Sequence, residues 1–271
     1  MNNHSTMITV CIPVRNGAQY ISHAIDSVLG QTSQVFQLEI ADNCSTDETL
    51  SIVESYLPDN RIKLTSRSHD MGMFENFNAC LKGIETKYYM LLSHDDYLCD
   101  KTALDKGFNI LEANEHIPAV YCETLFVDEH SQAINRRGFG LSGPVDSDVI
   151  ARRSIISNRN IYGVPLLIRS NAIQSNQYDA RLPNSADVDY SVAIGKGEKV
   201  YYLKETLIAI RFHKANNTAR IYSSLKSEFL AIAEKHNIDL SAFEMIITRI
   251  NSYLVRVKKL LFFFYIDNFR K

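Results

Sequence analysis

The chain has 271 residues, a formal net charge of −2, and 45% apolar against 22% charged residues. This length can bury the core of one large or two small domains, and the composition is typical of a soluble globular protein. The near-neutral charge gives no general attraction to nucleic acid, so no nucleic-acid partner is expected. The five cysteines form no CxxC pair and no apolar run reaches the ~20 residues that span a bilayer, which favours a cytoplasmic protein with reduced thiols.

Strand and helix patterns alternate through the first part of the chain. Apolar, β-branched or aromatic runs predict strands at 8–14, 36–41, 61–65 and 88–92. Helices are predicted between them, and the second has a capping box of Ser45 and Glu48 and a buried face that includes Leu57. This alternation is typical of right-handed βαβ units. The sequence therefore predicts an α/β fold with a mostly parallel central sheet.

The alternation becomes irregular after a helix at 100–116 and a strand at 119–127. The predicted elements are a loop at 128–143, a helix at 145–157, a strand at 164–168, a helix after Pro183 and a hairpin-like or edge strand pair at 199–203 and 207–212. The residues from 222 onward are mainly helical in pattern. No linker composition separates these parts, so we expect one domain at 1–218 with a helical appendage at 219–271.

Polar side chains follow each of the four predicted strands, namely Arg15-Asn16, Asp42-Asn43, His69-Asp70 and Asp95-Asp96. Ligands of parallel α/β sheets bind beyond the carboxyl ends of the strands. Two adjacent carboxylates at a strand end repel each other unless a cation lies beside them, and such a pair can hold a divalent metal against a phosphate. A turn or helix cap explains an isolated pair equally well. GxGxxG and GxxxxGK[ST] motifs are missing, which argues against dinucleotide redox and P-loop chemistry.

Six short segments of the chain resemble glycosyltransferase family 2, whose members have a GT-A type fold. They occur in the family's order and are CIPVRNG (11–17), ADNCSTDET (41–49), MGMFENFNACLKG (71–83), LLSHDDYL (91–98), ADVDYSVAIGKG (186–197) and RFHKANNT (211–218). The resemblance implies a Rossmann-like sandwich and inverting transfer of a hexosyl or N-acetylhexosaminyl group from a nucleotide-sugar donor, with UDP as the expected nucleotide. It also implies Mn²⁺ or Mg²⁺ on the diphosphate and a saccharide or lipid-linked acceptor in surface polysaccharide synthesis.

The same resemblance assigns expected roles to individual residues. Asp187 is the expected catalytic base, because a carboxylate can take the proton of the acceptor hydroxyl, while Asp189 is a rival whose other explanation is helix-dipole compensation. The expected metal ligands are Asp96 and His213, and the histidine is explained equally well as a strand-end residue bonded to backbone. The expected donor-binding residues are Pro13, Val14, Arg15, Asn16, Asp42, Asn76, Asp95 and Arg211.

Two positions depart from the family pattern, which often has acidic residues where Ser93 and Ala186 stand. These departures leave the number of metal ligands open. They also support the alternative of a non-catalytic protein that binds nucleotide or glycan. A sugar nucleotidyltransferase is the other alternative, although the N-terminal segment lacks the glycine-rich, basic signature that a triphosphate site needs.

The C-terminal segment 249–271 has its own charge pattern. It contains six basic residues and one acidic residue, a net charge of +5, so the rest of the chain carries −7. An apolar run at 260–266 lies between the basic residues. Such a helix could lie in an anionic membrane interface, at the inner face of the cell membrane. It could equally pack on the core or in a homodimer, with lysine stems covering apolar surface.

Overall fold

The computed structural model describes residues 6–173, 176–213 and 225–269. The strands are β1 (Ile8–Val14), β2 (Phe36–Asp42), β3 (Ile62–Ser66), β4 (Tyr88–Leu91), β5 (Tyr97–Leu98), β6 (Ala119–Val127), β7 (Ala133–Arg137), β8 (Gly143–Asp146), β9 (Pro165–Arg169) and β10 (Lys199–Arg211). The helices are α1 (Ile21–Leu29), α2 (Thr49–Glu54), α3 (Met73–Lys82), α4 (Ala103–Ala113), α5 (Ser147–Ser157), α6 (Ala186–Gly195), α7 (Leu225–Lys235) and α8 (Ala242–Phe269).

The strands in the described part of the chain form one sheet in the order β3-β2-β1-β4-β9-β6-β10-β5, with β7 beside β6 and β8 beside β10. The first four strands are parallel to one another, as predicted. Strand β9 then runs antiparallel to both β4 and β6, which makes the whole sheet mixed. The predicted α/β class is confirmed. Chain order reverses at β1, which pairs with β2 on one side and β4 on the other, and this reversal opens a crevice at their carboxyl ends.

Helices cover both faces of the sheet, as two consecutive residues of β4 illustrate. Tyr88 packs in a core cluster with residues of α1, α2 and α4, whereas Tyr89 packs in a second cluster with residues of α5, α6 and α7. Both tyrosines are fully buried. Successive strand residues point to opposite faces, so the aromatic run of β4 supplies both layers. Each fully buried large apolar side chain contributes about 1.5–3 kcal/mol.

The second helix begins later than its predicted capping box. Helix α2 starts at Thr49, whose backbone N–H donates to Asp47 Oδ1 at 3.1 Å. The Ser45 hydroxyl instead accepts a hydrogen bond from the backbone N–H of Asn16 at 2.9 Å. The capping-box prediction was therefore wrong, because Ser45 is used to hold the loop after β1. Leu57, predicted on the buried face, lies beyond the helix and is 40% exposed.

Two further predictions about the second half of the chain were wrong. The predicted loop at 128–143 contains β7, an edge strand of mostly exposed residues that lacks an apolar alternation. The predicted pair of strands after 199 is one continuous strand, β10. Its pairing with β6 shifts register between Leu203 and Thr206. An irregularity of this kind accommodates the polar Lys204-Glu205 pair without ending the strand.

The C-terminal helices pack against the rest of the chain. Phe229, Ile232 and Ala233 of α7 are buried in the second core cluster. Helix α8 contacts α5 through an ion pair between Glu244 Oε2 and Arg152 Nη2 at 2.6 Å. Residues 214–224, which include most of the RFHKANNT segment and the predicted start of the helical region, lie outside the described residues. The division at 218/219 therefore stays a prediction.

In the part of the chain that is described, none of the helices has both the length and the apolar character to cross a membrane.

Candidate active site

A cleft of about 890 Å³ lies at the crevice beside β1 and β4. Nine of the eleven residues that the sequence singled out line it, namely Pro13, Val14, Arg15, Asn16, Asn76, Asp95, Asp96, Asp187 and His213. Asp42 and Arg211 are not in its lining. Residues separated by as many as 200 positions in the sequence therefore meet in one concave site, and Ser93 and Ala186 line the same cleft.

Gly17 allows the loop after β1 to approach the loop after β4. A Cβ atom at this position would lie 2.5 Å from Cδ2 of His94, too close for any larger residue without a shift of the histidine ring. The backbone N–H of Gly17 donates to Thr49 Oγ1 at 2.8 Å, which fixes the loop on α2. Close packing of these loops brings the β1 segment of the cleft against the acidic pair.

Asp42 lies behind the cleft wall and is 1% exposed. Its Oδ2 accepts the backbone N–H of Ser45 at 3.2 Å, whereas its Oδ1 is buried without a hydrogen-bond partner among the described residues. Asn76 shows the same asymmetry, because its Nδ2 donates to the Ala41 carbonyl and its Oδ1 has no described partner. Buried acceptors are rarely left unsatisfied, so these two oxygens are candidates to accept hydrogen bonds from a bound ligand.

Arg15 is held at the rim of the cleft by residues that the sequence analysis did not assign to the site. Its Nη1 lies 2.7 Å from Asp70 Oδ2, and Asp70 Oδ1 accepts a hydrogen bond from Asn43 Nδ2 at 2.8 Å. Asn43 Oδ1 in turn accepts the backbone N–H of Met71 at 3.0 Å. Asn43 and Asp70 were noticed only as polar strand ends, and that position was the signal that could have identified them.

The two carboxylates of the acidic pair after β4 contact different partners. Asp95 Oδ2 lies 2.9 Å from His213 Nε2, while Asp96 Oδ1 accepts the backbone N–H of Arg211 at 2.9 Å. Burial and the adjacent Asp95 charge raise the pKa of Asp96 well above its usual range. Burial also disfavours the Asp95 carboxylate, but the hydrogen bond from His213 and the charge of His94 prevail and lower its pKa.

These residues fit a metal that is shared with a diphosphate. Among the described residues, no group of three or more His, Cys, Asp or Glu side chains is arranged to hold an ion without further ligands. A metal bound to a nucleoside diphosphate needs only one or two protein carboxylates, because phosphate oxygens and water complete its shell. Asp95 and Asp96 could therefore supply the one or two carboxylates that such a metal needs, with His213 beside Asp95.

Arg211 has a different position from the one expected of a phosphate contact. Its side chain is 2% exposed, and its guanidinium donates to the Asp95 carbonyl at 3.0 Å and to Ser131 Oγ at 2.9 Å. The guanidinium also lies 4.6 Å from the ring centroid of Tyr20. Arg211 thus joins the acidic loop to the turn after β6 and is not in the cleft lining, so its expected contact with the donor stays a prediction.

Asp187 lies in the first turn of α6 with its side chain exposed to the cleft. Its Oδ2 accepts a hydrogen bond from Asn160 Nδ2 at 2.7 Å, and its Oδ1 accepts the backbone N–H of Val188 at 2.9 Å. Desolvation by the surrounding protein raises the pKa of Asp187, although solvent reaches the carboxylate through the cleft, and the Asn160 hydrogen bond opposes the rise. A carboxylate with a raised pKa is a better proton acceptor than an ordinary aspartate.

Asp189, the rival base, faces away from the cleft. It is 1% exposed, and its two oxygens contact Lys235 Nζ at 2.6 Å and His236 Nε2 at 2.8 Å. Glu228 of α7 anchors the residues before Asp187, since its carboxylate accepts the Asn184 backbone N–H at 3.0 Å. No sequence pattern marked Asn160 or Glu228 as site residues, and both lie far along the chain from the residues that they contact.

Comparisons with known proteins agree with this geometry. The family model described as "Glycosyl transferase family 2" matches residues 9–172. An uncharacterized glycosyltransferase of Rickettsia prowazekii is 29% identical over 233 residues, which are 83% of this chain and 70% of the relative. An uncharacterized glycosyltransferase of Haemophilus influenzae is 24% identical over 240 residues, 86% of this chain and 73% of the relative.

Solved structures show the same fold. Staphylococcus aureus TarS 1–349 in complex with UDP-GlcNAc superposes with a TM-score of 0.72 and 19% identity, over 92% of this chain and 73% of that 1–349 chain. The mannosyltransferase PcManGT of Pyrobaculum calidifontis, in complex with GDP-Man and Mn²⁺, superposes with a TM-score of 0.64 and 15% identity, over 95% and 73% of the two chains. Because the family model covers more than half of its length, the chain belongs to glycosyltransferase family 2 and is a glycosyltransferase of GT-A fold.

Proposed function

We propose that the protein is an inverting, metal-dependent glycosyltransferase that moves a hexosyl or N-acetylhexosaminyl group from a UDP-sugar to a saccharide or lipid-linked acceptor in surface glycan synthesis. The observation that carries the proposal is that one cleft contains both the acidic pair, Asp95 and Asp96, and the separately held carboxylate of Asp187. The acidic pair can bind a metal that neutralises the leaving diphosphate, and Asp187 can accept a proton from the acceptor hydroxyl. Structural neighbours bound to UDP-GlcNAc and GDP-Man support a nucleotide-sugar donor.

The donor's nucleotide is proposed to bind between the loop after β1 and the end of β2. Pro13 and Val14 offer apolar surface to the base, and Arg15 and Asn16 lie at the rim. The unpartnered Asp42 Oδ1 is suited to accept a hydrogen bond from the N–H of a uracil ring. This match favours uracil over bases without an N–H at the corresponding position, so UDP is the proposed nucleotide.

Asp95, Asp96 and His213 are the residues that would hold Mn²⁺ or Mg²⁺. Such a metal, when bound, neutralises charge on the diphosphate as it leaves. The protein's own contribution is to keep two carboxylates close together in a partly desolvated loop. Arg211, from behind, fixes the backbone of that loop by its bond to the Asp95 carbonyl.

In the proposed reaction, Asp187 takes the proton of an acceptor hydroxyl as its oxygen bonds to the anomeric carbon. The bond between the anomeric carbon and the diphosphate oxygen breaks with its electron pair remaining on the diphosphate. Attack from the face opposite the leaving group inverts the anomeric configuration. Asn160 holds the Asp187 carboxylate through the bond to Oδ2, which leaves Oδ1 beside the helix N-terminus.

Helix α8 is proposed to lie on an anionic membrane surface at the inner face of the cell membrane. Its outward face is apolar, since Phe243 is 71%, Ile246 54%, Ile250 54% and Tyr253 68% exposed. Its inward face is polar, as Thr248 and Ser252 are the buried ones among the α8 residues whose side chains the structure describes. The net charge of +5 in 249–271 complements anionic lipid.

The proposed function is tested by measuring nucleoside diphosphate release from a panel of donors with Mn²⁺ and a saccharide acceptor panel. A UDP-sugar should give release that depends on both acceptor and metal, and that is lost in Asp187→Asn. Binding of UDP with Mn²⁺ but no release from any donor would instead indicate a non-catalytic nucleotide-binding protein. The same panel with a sugar 1-phosphate and UTP tests the nucleotidyltransferase alternative, for which no turnover is expected.

A further inference from the structure

Arg137 at the end of β7 is a half-buried cation without a carboxylate partner in the described part of the chain. Its Nη2 donates to the backbone carbonyl of Asn160 at 2.9 Å, and its guanidinium carbon lies 4.9 Å from the ring centroid of Phe139 and 5.9 Å from that of Phe126. Arginine has five N–H donors and stays charged at neutral pH. Most of its hydrogen-bonding capacity is therefore not used by the described residues.

Arg169 is a buried arginine with a structural role, and it differs from Arg137 in its hydrogen-bond partners. The Arg169 guanidinium donates to three backbone carbonyls and to the Tyr88 hydroxyl, so its donors are matched by protein acceptors. Four other arginines have carboxylate partners, as Arg61 does with Asp59 at 2.7 Å. Arg137 has neither arrangement. A desolvated cation without a counterion is costly to maintain, which favours a role in binding an anion.

Arg137 is fixed next to the proposed base by a single residue. The backbone carbonyl of Asn160 accepts the Arg137 bond, while its side-chain Nδ2 donates to Asp187 Oδ2 at 2.7 Å. Asn160 is itself locked in a turn, because its Oδ1 accepts the backbone N–H of Gly163 at 2.9 Å. Gly163 has a φ of +82°, a conformation that favours glycine. The guanidinium and the base therefore belong to one rigid unit.

A second guanidinium adds positive charge at this place. Arg159 precedes Asn160 in the chain and its side chain is exposed, with no ion pair among the described residues. Burial lowers the pKa of Arg137, the Asp187 charge opposes this shift, and the Arg159 charge adds to it. The positive charges of Arg137 and Arg159 thus lie close enough to repel each other, and Arg137 forms no ion pair with Asp187 among the described residues. A doubly charged anion would relieve their repulsion and match the planar donor pattern of both side chains.

We propose that Arg137 and Arg159 form an anion subsite for the acceptor, and that the acceptor carries a phosphoryl group close to the hydroxyl that receives the sugar. The proposal rests on the proposed function in one respect, namely that Asp187 contacts this hydroxyl. A phosphate monoester at the end of a lipid-linked acceptor and a phosphodiester within a chain offer the same chemistry. Either group would present two phosphoryl oxygens as acceptors to the guanidinium N–H donors.

The experiment uses the full chain with its donor site saturated by UDP and Mn²⁺, so that added phosphate cannot bind there. Glycerol 3-phosphate, dimethyl phosphate and uncharged glycerol are titrated calorimetrically as monoester, diester and neutral probes. The phosphate probes should bind and glycerol should not. The phosphate probe that binds more tightly shows whether the natural acceptor carries a monoester or a diester. Arg137→Gln should weaken this binding tenfold or more, and Arg159→Gln severalfold. Arg136→Gln is the matched control, because this exposed neighbour lies on the other face of β7, and its binding should equal that of the parent.

Several outcomes would overturn the subsite. One is that the phosphate probes do not bind to a protein that binds UDP normally. Another is that Arg136→Gln and Arg137→Gln lose the same amount of phosphate affinity. The third is that Arg137→Gln shifts the pH–rate profile but leaves phosphate binding unchanged. Arg137→Lys keeps the charge and guards against misfolding of the glutamine variant, and it should retain more binding than Arg137→Gln. Phosphate binding is read without turnover, so its failure is distinct from failure of the proposed transfer reaction, which is read from UDP release.

Discussion

The carboxylate of Glu228 accepts a hydrogen bond from the hydroxyl of Ser185 at 2.7 Å, which ties α7 to the turn that carries Asp187. Asn184, one residue earlier, donates both its backbone N–H and its side-chain amide to the same carboxylate. On the other side of Asp187, Asp189 is paired with His236 at the end of α7. Asp187, the proposed base, is thus held between two contacts from a helix that sequence patterns assigned to an appendage.

This relationship predicts that Glu228→Gln lowers turnover without changing donor affinity. The substitution keeps the shape but removes the charge and one acceptor oxygen from a buried network, which should cost about 1–3 kcal/mol of unfolding free energy. We expect kcat to fall about tenfold as the Asp187 turn loosens. Thermal unfolding, KM for the donor and kcat are measured together. Glu234→Gln on the exposed side of α7 is the control, and an equal effect there would contradict the positioning role.

A second prediction concerns the base. Asp187→Asn preserves size and the hydrogen bond to the backbone of Val188, so donor binding should be unchanged while turnover falls ~100-fold or more. Asp189→Asn should instead lower thermal stability, because it leaves Lys235 and His236 without their buried partner. Normal activity in Asp187→Asn, together with a stable but inactive Asp189→Asn, would exchange the two assignments.

The third prediction is a shift of the pH–rate profile in Asn160→Ala. Asp187 must be deprotonated to accept a proton, so activity is lost as the pH falls through its pKa in the folded protein. The hydrogen bond from Asn160 lowers this pKa, against the larger opposing effect of desolvation. Its removal should therefore raise the pKa further and move the acidic limb of kcat to higher pH. An unchanged acidic limb, measured beside the parent at saturating donor, would show that Asn160 does not act on the base.

The fourth prediction concerns the metal. Asp96→Ala should abolish the dependence of UDP binding on Mn²⁺, because it removes the carboxylate that is proposed to bind the metal directly. Asp95→Ala should weaken this binding less, since one carboxylate oxygen of Asp95 is already paired with His213. Calorimetry of UDP with and without Mn²⁺ measures both effects. Undiminished metal-dependent binding in Asp96→Ala would contradict its assignment as a ligand.

The parts of the fold that could be predicted are those with local signals. The apolar run of β4 and the polar residues after each parallel strand identified the sheet and the edge at which the cleft lies. The short polar strand β7 has no apolar alternation, so its pairing with β6 could not be inferred from pattern. A motif also gives a residue's position but not the direction of its side chain. Arg211 therefore matched a family segment although its guanidinium lies behind the cleft.

The residues that hold Asp187 in place could not be predicted from the sequence either, because their contacts also depend on tertiary structure. Asn160 and Glu228 reach the Asp187 turn across 27 and 44 positions of sequence, and nothing in their neighbourhoods marks either residue as functional. Only the packing of α5 and α7 on α6 brings them together. Asp187 itself was selected from a motif, whereas its environment comes from tertiary structure.

The last prediction tests the outward face of α8. Phe243 and Ile246 are exposed on the first turns of the helix, so replacing both with serine should leave the melting temperature nearly unchanged. If the helix lies on a membrane, each replaced side chain should remove up to about 1.5–3 kcal/mol of apolar attraction, a loss that salt does not screen. The cationic part of the attraction, about 1 kcal/mol per basic residue near the surface, should fall with salt in parent and variant alike. Co-sedimentation with anionic vesicles at two salt concentrations separates the two parts. A parent that never sediments with vesicles, but whose sedimentation coefficient falls from that of a dimer to that of a monomer in the variant, would assign the same face to a second copy of the chain.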